Sequence, residues 1–166
     1  MQRRSDRRPE HEKKVDEDLF KYVKCQTAVE QQEANIATYD LTGRKVTATY
    51  ERMEGGRGGP VSFPEENLII RKMEAEEIIK VSQQYIDSVD RCIARVFFEQ
   101  EHMRTFIRLY WWTYPRHTPV KIRMQSVLAE MPYLEYVNKR YRRKRDLFYD
   151  YRAKIYEELA KAFGYL

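Results

Sequence analysis

The residues best suited to chemistry lie near the C-terminus, where six of the seven side chains from Lys139 to Arg145 are cationic. Lysine meets phosphate as a point charge, and arginine pairs with it through two parallel hydrogen bonds. The single interruption, Tyr141, is an aromatic that can pack inward or stack. This run is typical of a surface that binds a polyanion, although a merely solvated helix face can show the same charges.

The distribution of charge along the chain supports the same interpretation. The net charge of +5 divides into −3 over residues 1–101, with 17 Lys/Arg and 20 Asp/Glu, and +8 over residues 102–166, with 14 and 6. A positive field confined to the last third favours a nucleic-acid surface there and a protein-facing or solvated role upstream.

No catalytic or metal-binding arrangement accompanies the basic run. Cys25, Cys92 and the three histidines lack the spacing of metal ligands, and we find no nucleophile-base set or paired carboxylates. The GGRGG loop at 55–59 lacks the Lys-Ser/Thr that would hold a nucleotide phosphate and magnesium. We therefore expect no enzyme, no metal and no cofactor, and reduced cysteine thiols.

The elements that must position the basic run are predicted to be all-α. Residues 1–9 form a flexible basic tail, 10–37 an N-terminal helix, 38–64 a linker with an extended segment and a Gly-rich loop, and 65–166 a helical domain. No apolar run reaches the roughly 20 residues that cross a bilayer, so we expect a soluble protein without a membrane partner.

Within the helical domain the apolar spacing predicts five helices. They are a long helix from Ser62 or Pro64 to about Phe98, then Glu101 to Trp112, Val120 to Glu130, Tyr133 to Tyr141, and a C-terminal helix from Leu147 to Phe163. The aromatic cluster that ends at Trp112 is expected to be core, with a ligand pocket or base stacking as the alternative. A short helix, a cationic break and a longer helix is the layout of a helix-turn-helix over about 133–163.

Three stretches resemble the RinA/ArpU-type transcriptional regulators of phages and prophages. They are GGRGGPVS before the long helix, QYIDSVDRCIARV leading into FIRLYWW, and DLFYDYRAKIYEELAKAFGYL at the end, within about residues 53–166. Such proteins activate late genes for packaging and lysis, and their C-terminal part is similar to region four of bacterial sigma factors. Here Phe148, Tyr149, Tyr151 and Arg152 match the opening of the family's recognition helix, and Ala160, Phe163 and Gly164 match its close.

The resemblance implies a cytoplasmic DNA-binding activator in a bacterial host, with double-stranded DNA and host RNA polymerase as partners and a homodimer left open. Phosphate contacts are expected from Lys139, Arg140, Arg142, Arg143 and Lys144. Base-edge contacts are expected from Arg145, Tyr149 and Arg152.

The chain departs from the family pattern at the turn before the recognition helix. The family has a Gly or Asn, an apolar residue and a Ser there, whereas this chain has Arg142 to Arg145. Asp146 is then the expected N-cap. About twenty residues also separate Trp112 from the motif, where shorter links are common in the family. We expect an extra helix to fill them, which leaves the register of the helix-turn-helix open.

Two other classes of protein remain open from the sequence. One is the small subunit of a phage terminase, also helical and DNA-recognising, which assembles into rings. The other is an RNA-binding or purely structural helical protein whose basic face is only solvated. Native mass or light scattering separates the terminase from the activator, because only the terminase is expected as a ring of many subunits.

Overall fold

Helices dominate the structure, as the all-α prediction requires. The computed structural model describes residues 8–50, 64–138 and 143–166. In chain order the elements are α1 (Glu10–Tyr50), α2 (Pro64–Val96), α3 (Glu101–Ile107) continued by a π-helical turn (Arg108–Trp112), α4 (Val120–Glu130), a 3-10 turn (Pro132–Leu134), the strands β1 (Glu135–Asn138) and β2 (Arg143–Asp146), and α5 (Leu147–Phe163). The predictions of α2, α4 and α5 are confirmed.

Helix α1 is longer than the sequence predicts. The extended segment expected after residue 37 is wrong as far as Tyr50, because the helix continues to that residue. Relative to alanine, each threonine or valine lowers the stability of a helix by only tenths of a kcal/mol, and Gly43 lowers it by about 1 kcal/mol. Each of these residues also keeps its backbone N–H donor, which a proline would lack. The predicted Gly-rich loop lies in 51–63, outside the described residues.

A second difference affects the predicted helix-turn-helix. The helix expected over Tyr133 to Tyr141 is wrong up to Asn138, where a 3-10 turn and strand β1 take its place. Tyr136 and Val137 have strand-forming side chains. A helix through the basic run would also place like charges three and four residues apart, which destabilises helices.

The chain divides into two compact units. Residues 1–23 and 88–166 form one, called here the core unit, and residues 24–87 form the other, called the helix-pair unit. From the sequence, the core unit contains 23 Lys/Arg and 15 Asp/Glu, and the helix-pair unit contains 8 and 11. Their net charges are therefore +8 and −3.

Aromatic side chains fill the interior of the core unit. Phe106, Trp111 and Phe148 are fully buried, and the ring centroids of Phe106 and Phe148 lie 5.1 Å apart. Tyr110 packs edge-on against Trp111 at 4.5 Å. The interpretation of this cluster as core is confirmed for Trp111. The neighbouring Trp112 stacks on Tyr22 at 4.1 Å.

A buried carboxylate joins α1 to this aromatic core. Asp16 is 7% exposed, and its Oδ1 accepts hydrogen bonds from Trp111 Nε1 at 2.7 Å and from the Tyr156 hydroxyl at 2.6 Å. Its other oxygen pairs with the guanidinium of Arg8. Burial, followed by the nearby Asp16 carboxylate, raises the pKa of Tyr156 far above its ordinary value. The hydroxyl therefore stays protonated as a donor.

The C-terminus of α5 is closed by a left-handed glycine. Gly164 has φ of 78°, and the Tyr165 amide donates to the Ala160 carbonyl at 2.7 Å while the Gly164 amide donates to Lys161 at 3.2 Å. This is the Schellman arrangement. The Tyr165 hydroxyl then donates to Asp18 at 2.6 Å, which fastens the chain end to α1.

In its described residues, the helix-pair unit consists of parts of α1 and α2. Within it, Lys72 Nζ lies 2.9 Å from Asp40 Oδ1, so the two helices approach each other at that point. On α2 the side chains of Ala75, Ser82 and Ile86 are buried. Their spacing of seven and four residues defines one inward face of the helix.

Candidate nucleic-acid interface

The basic run belongs to a two-stranded antiparallel ribbon, formed by β1 and β2. Its register pairs Glu135 with Asp146, Tyr136 with Arg145, Val137 with Lys144 and Asn138 with Arg143. The cations of β2 are therefore each paired with a neutral residue, and the only acidic pair lies at the end nearest α5. The connecting residues 139–142, Lys-Arg-Tyr-Arg, lie outside the described residues and contain three of the six cations.

Buried side chains anchor both ends of the ribbon. Leu134 immediately precedes β1 and Phe148 follows β2 by two residues, and both are fully buried. The Phe148 ring centroid lies 5.5 Å from that of Tyr110. Because both strands leave from the same packed core, the position of the ribbon base is set by hydrophobic packing.

The eight residues predicted to bind DNA fall into three groups. Lys139, Arg140 and Arg142 lie outside the described residues. Arg143, Lys144 and Arg145 form most of β2, and Tyr149 and Arg152 lie on α5. The structure thus brings the second group together on one strand of the ribbon and does not place it on a helix.

Arg152 is directed inward, which does not fit the base-edge contact expected of it. Its Nη1 donates to the Tyr110 hydroxyl at 3.2 Å, and its guanidinium lies 5.7 Å from the ring centroid of Tyr156. It comes four residues after the buried Phe148 and four before the buried Tyr156, so helical geometry places it on the buried face. A base-edge contact by Arg152 would require it to leave both of these partners.

Tyr149 is exposed, as predicted. Its side chain is 48% exposed, and its ring packs edge-on against Phe148 at 5.3 Å with the Arg152 guanidinium 5.4 Å from its centroid. A second exposed tyrosine, Tyr133, lies two residues before β1. An exposed tyrosine therefore lies shortly before β1 and another shortly after β2 along the chain.

The exposed face of α5 has nearly balanced charge. It carries Asp150, Lys154, Glu157 and Lys161 beside Tyr149. Lys161 pairs with Glu157 at 2.7 Å, and Lys154 donates to Gln100 at 3.2 Å. A helix that enters a DNA groove usually presents an excess of cations to the phosphates. In the described part of this region the cationic excess lies in β2 and not in α5.

Sequence reasoning did not single out two buried charged residues, Asp16 and Arg123. Arg123 is 7% exposed, donates from Nε to the Thr118 carbonyl at 3.1 Å, and has its guanidinium 4.8 Å from the Tyr110 ring centroid and 5.2 Å from that of Phe20. Helical spacing was the signal that could have identified them. Asp16 lies four residues before Phe20 and Arg123 lies four residues before Val127, so each shares a helix face with a buried apolar residue.

Neither a metal cluster nor a membrane-spanning helix is found in the described ranges. No group of three or more His, Cys, Asp or Glu side chains among them could hold a metal ion. In that same part of the chain, no helix combines the length and apolar character required to cross a membrane. Comparisons of the chain with protein-family models, with curated proteins and with solved structures find no match.

Proposed function

We propose that this protein binds double-stranded DNA and acts as a phage or prophage transcriptional activator of late genes. The observation that carries the DNA-binding part is the register of the ribbon, in which Arg143, Lys144 and Arg145 have no acidic partner across the strands. Together with the three cations of residues 139–142 they concentrate six positive charges in seven residues. Cations at this density bind phosphates and release condensed counterions.

The two-stranded antiparallel architecture of the ribbon is compatible with double-stranded DNA. A two-stranded antiparallel ribbon fits the major groove, which is about 12 Å wide. In such a complex the cations contact phosphates, while side chains beside the ribbon reach base edges or stack. Tyr149 is suited to the second role because its ring is exposed and held by Phe148 and Arg152.

The resemblance to the RinA/ArpU-type regulators supports the regulatory part of the proposal and the contact with host RNA polymerase. A sigma region-four helix-turn-helix remains what that resemblance implies for residues 133–163. Because a strand occupies the place of its first helix up to Asn138, we assign the phosphate contacts to the ribbon. Among the predicted base-contacting residues on α5 we retain Tyr149 and leave out Arg152.

The test of the proposal is the salt dependence of DNA binding. The triple variant Arg143→Ala, Lys144→Ala, Arg145→Ala should weaken binding to a duplex and reduce the slope of log K against log salt by about 2.7, which is 0.9 for each of three phosphates that the variant no longer neutralises. Fluorescence anisotropy with a labelled duplex measures both quantities. An unchanged slope would refute the assignment of these residues.

A matched control removes the same number of charges from elsewhere in the core unit. Arg104, Arg108 and Lys121 are exposed on other elements. Replacing these three by Ala lowers the net charge equally but should leave the slope nearly as it is in the native protein. A similar reduction in both triple variants would show that the overall field, and not the ribbon, governs binding.

Two further measurements separate the proposed activator from the alternatives. Genomic fragments selected by the purified protein should map upstream of late genes, and host RNA polymerase should then transcribe from those fragments more strongly in its presence. Enrichment of a packaging site, with a native mass corresponding to a ring, would instead establish a terminase small subunit. Preference for RNA over duplex DNA in direct competition would exclude both.

A further inference from the structure

Helix α2 has a second apolar face within the helix-pair unit, opposite its buried one. Ile69, Ile70, Met73 and Val81 are each more than half exposed. The buried positions Ala75, Ser82 and Ile86 lie on the other side of the same helix. We call the four exposed residues the outer face of α2. Single exposed hydrophobic residues are ordinary, but four within thirteen residues of one helix mark an interaction surface.

Acidic side chains lie beside and between the apolar residues of the outer face. Glu66, Glu74 and Glu77 are exposed on the same side of α2, and Glu77 lies midway between Met73 and Val81. Between residues 66 and 81 of α2, Lys80 is the one cation exposed on that side. The helix-pair unit as a whole also has a net charge of −3. Carboxylates beside and within an apolar stripe favour a partner of opposite charge.

A second copy of the chain does not fit this charge pattern. Two identical outer faces would bring six carboxylates together with two ammonium groups, and the Glu77 carboxylates would be desolvated without enough cations to pair with them. A partner whose apolar stripe is bordered by Lys or Arg meets the same surface with complementary charge. Residues 69 to 81 extend about 18 Å along the helix axis at 1.5 Å per residue, a length typical of helix-on-helix docking.

We propose that the outer face of α2 docks an amphipathic helix of a partner protein whose borders are basic. The apolar side chains of that helix pack on Ile69, Ile70, Met73 and Val81, and its Lys or Arg side chains pair with Glu66, Glu74 and Glu77. This surface lies in the helix-pair unit and involves none of the residues assigned to DNA binding. The inference therefore does not depend on the proposed function.

Two synthetic peptides provide the probe. Both carry the same helical stripe of leucines, and one has lysines along its borders where the other has glutamates. In fluorescence anisotropy with the full-length protein, the lysine peptide should bind more tightly by about tenfold, the combined effect of three surface ion pairs. Equal binding of the two peptides, or no binding of either, would overturn the proposal.

Variants locate the peptide on the protein. Ile70→Ser with Met73→Ser should abolish binding of the lysine peptide, whereas Phe98→Ser, at an exposed phenylalanine of the core unit, should leave it unchanged. Circular dichroism establishes that each variant is folded. Retained binding by the first variant would contradict the assignment of the site.

Charge reversal and self-association complete the test. Glu74→Lys with Glu77→Lys should reverse the preference toward the glutamate peptide, because both positions are exposed and border the stripe. Light scattering over a range of concentrations should show no dimer that depends on Ile70 and Met73. A dimer that disappears in the Ile70→Ser, Met73→Ser variant would identify a second copy as the occupant and refute the basic partner.

Discussion

Removal of the Asp16 carboxylate should destabilise the core unit more than any surface change. One of its oxygens accepts from two donors at once, Trp111 Nε1 and the Tyr156 hydroxyl, and neither side chain is more than 2% exposed. The other oxygen pairs with Arg8, whose side chain is 43% exposed. In Asp16→Ala, the loss of the first oxygen therefore leaves two buried donors without an acceptor, whereas the loss of the second leaves a partly exposed guanidinium that water can solvate.

The magnitude follows from these environments. A buried donor left without an acceptor costs about 1–3 kcal/mol, so the loss of both partners of Asp16 Oδ1 costs about 2–6 kcal/mol. The Arg8 pair adds at most about 1 kcal/mol, because solvent screens it. We expect Asp16→Ala to lower the free energy of unfolding by about 4 kcal/mol. Asp16→Asn keeps an acceptor oxygen but loses the charge, and charge-assisted hydrogen bonds are about twice as strong as neutral ones, so it should cost about half as much.

The assay is urea unfolding followed by circular dichroism, with the slope m compared among variants to check that the folded state is the same. A double-mutant cycle with Tyr156→Phe isolates the hydrogen bond. Tyr156→Phe should cost about 1 kcal/mol in the native background but should stabilise the Asp16→Ala background by about 1–3 kcal/mol, because there it removes a buried donor that has lost its acceptor. A cost that is the same in both backgrounds would refute the account of Asp16 as the shared acceptor.

The remaining predictions concern single side chains of the core unit. Gly164→Ala should lower the free energy of unfolding by about 1 kcal/mol, because φ is 78° at this position, although no atom lies within 4 Å of the added Cβ. Gly164→Asn should lower the free energy of unfolding by less. Equal losses for the two variants in urea melts would contradict backbone strain as the cause. The hydrogen bond to Asp18 and partial burial raise the pKa of Tyr165 to about 12. That bond stabilises the fold fully below pH 10, the pKa of an unfolded tyrosine, and the contribution is lost as the pH rises through 12. The stability advantage over Tyr165→Phe should therefore disappear across that interval, and a constant difference would argue against the bond. Trp112→Phe should change the free energy of unfolding by less than about 1 kcal/mol. The Trp112 Nε1 is buried without a hydrogen-bond partner among the described residues, and Phe retains the stacking on Tyr22. A larger loss of stability in thermal melts would indicate that Nε1 has an acceptor.

The sequence predicts the parts of this fold that depend on local pattern. The bounds of α4 and the start of α2 at Pro64 follow from apolar spacing and from the preference of proline for the first turn of a helix. The aromatic core around Trp111 follows from the need of a small helical unit for bulky anchors. Each of these predictions depends on residues that are close in sequence.

The parts that the sequence did not predict depend on contacts between distant residues. Strand β1 forms because β2 pairs with it, and an isolated segment of four residues carries no reliable strand signal. The inward direction of Arg152 depends on where α5 turns toward the core. The helical spacing of Leu147, Tyr151 and Ile155 alone would place Arg152 on the outer face, whereas burial of Phe148 and Tyr156 rotates the inner face to include it. A pattern of hydrophobicity cannot fix that rotation when aromatic residues lie on both sides of the helix.

The charge gradient along the ribbon bears on how DNA would lie against it. At its base the register pairs Glu135 with Asp146, and Asp150 follows in the first turn of α5. These carboxylates suit the positive N-terminal end of a helix but repel phosphates. The cations begin one register position further on, at Arg145, and continue into residues 139–142. Under the proposed function, a duplex would contact the cations and lie away from the carboxylates at the N-terminus of α5, the helix on which Tyr149 is exposed. This geometry is the reverse of a recognition helix that enters the groove by its first turn, and it is the reason that the ribbon cations and Tyr149, and not Arg152, carry our proposal.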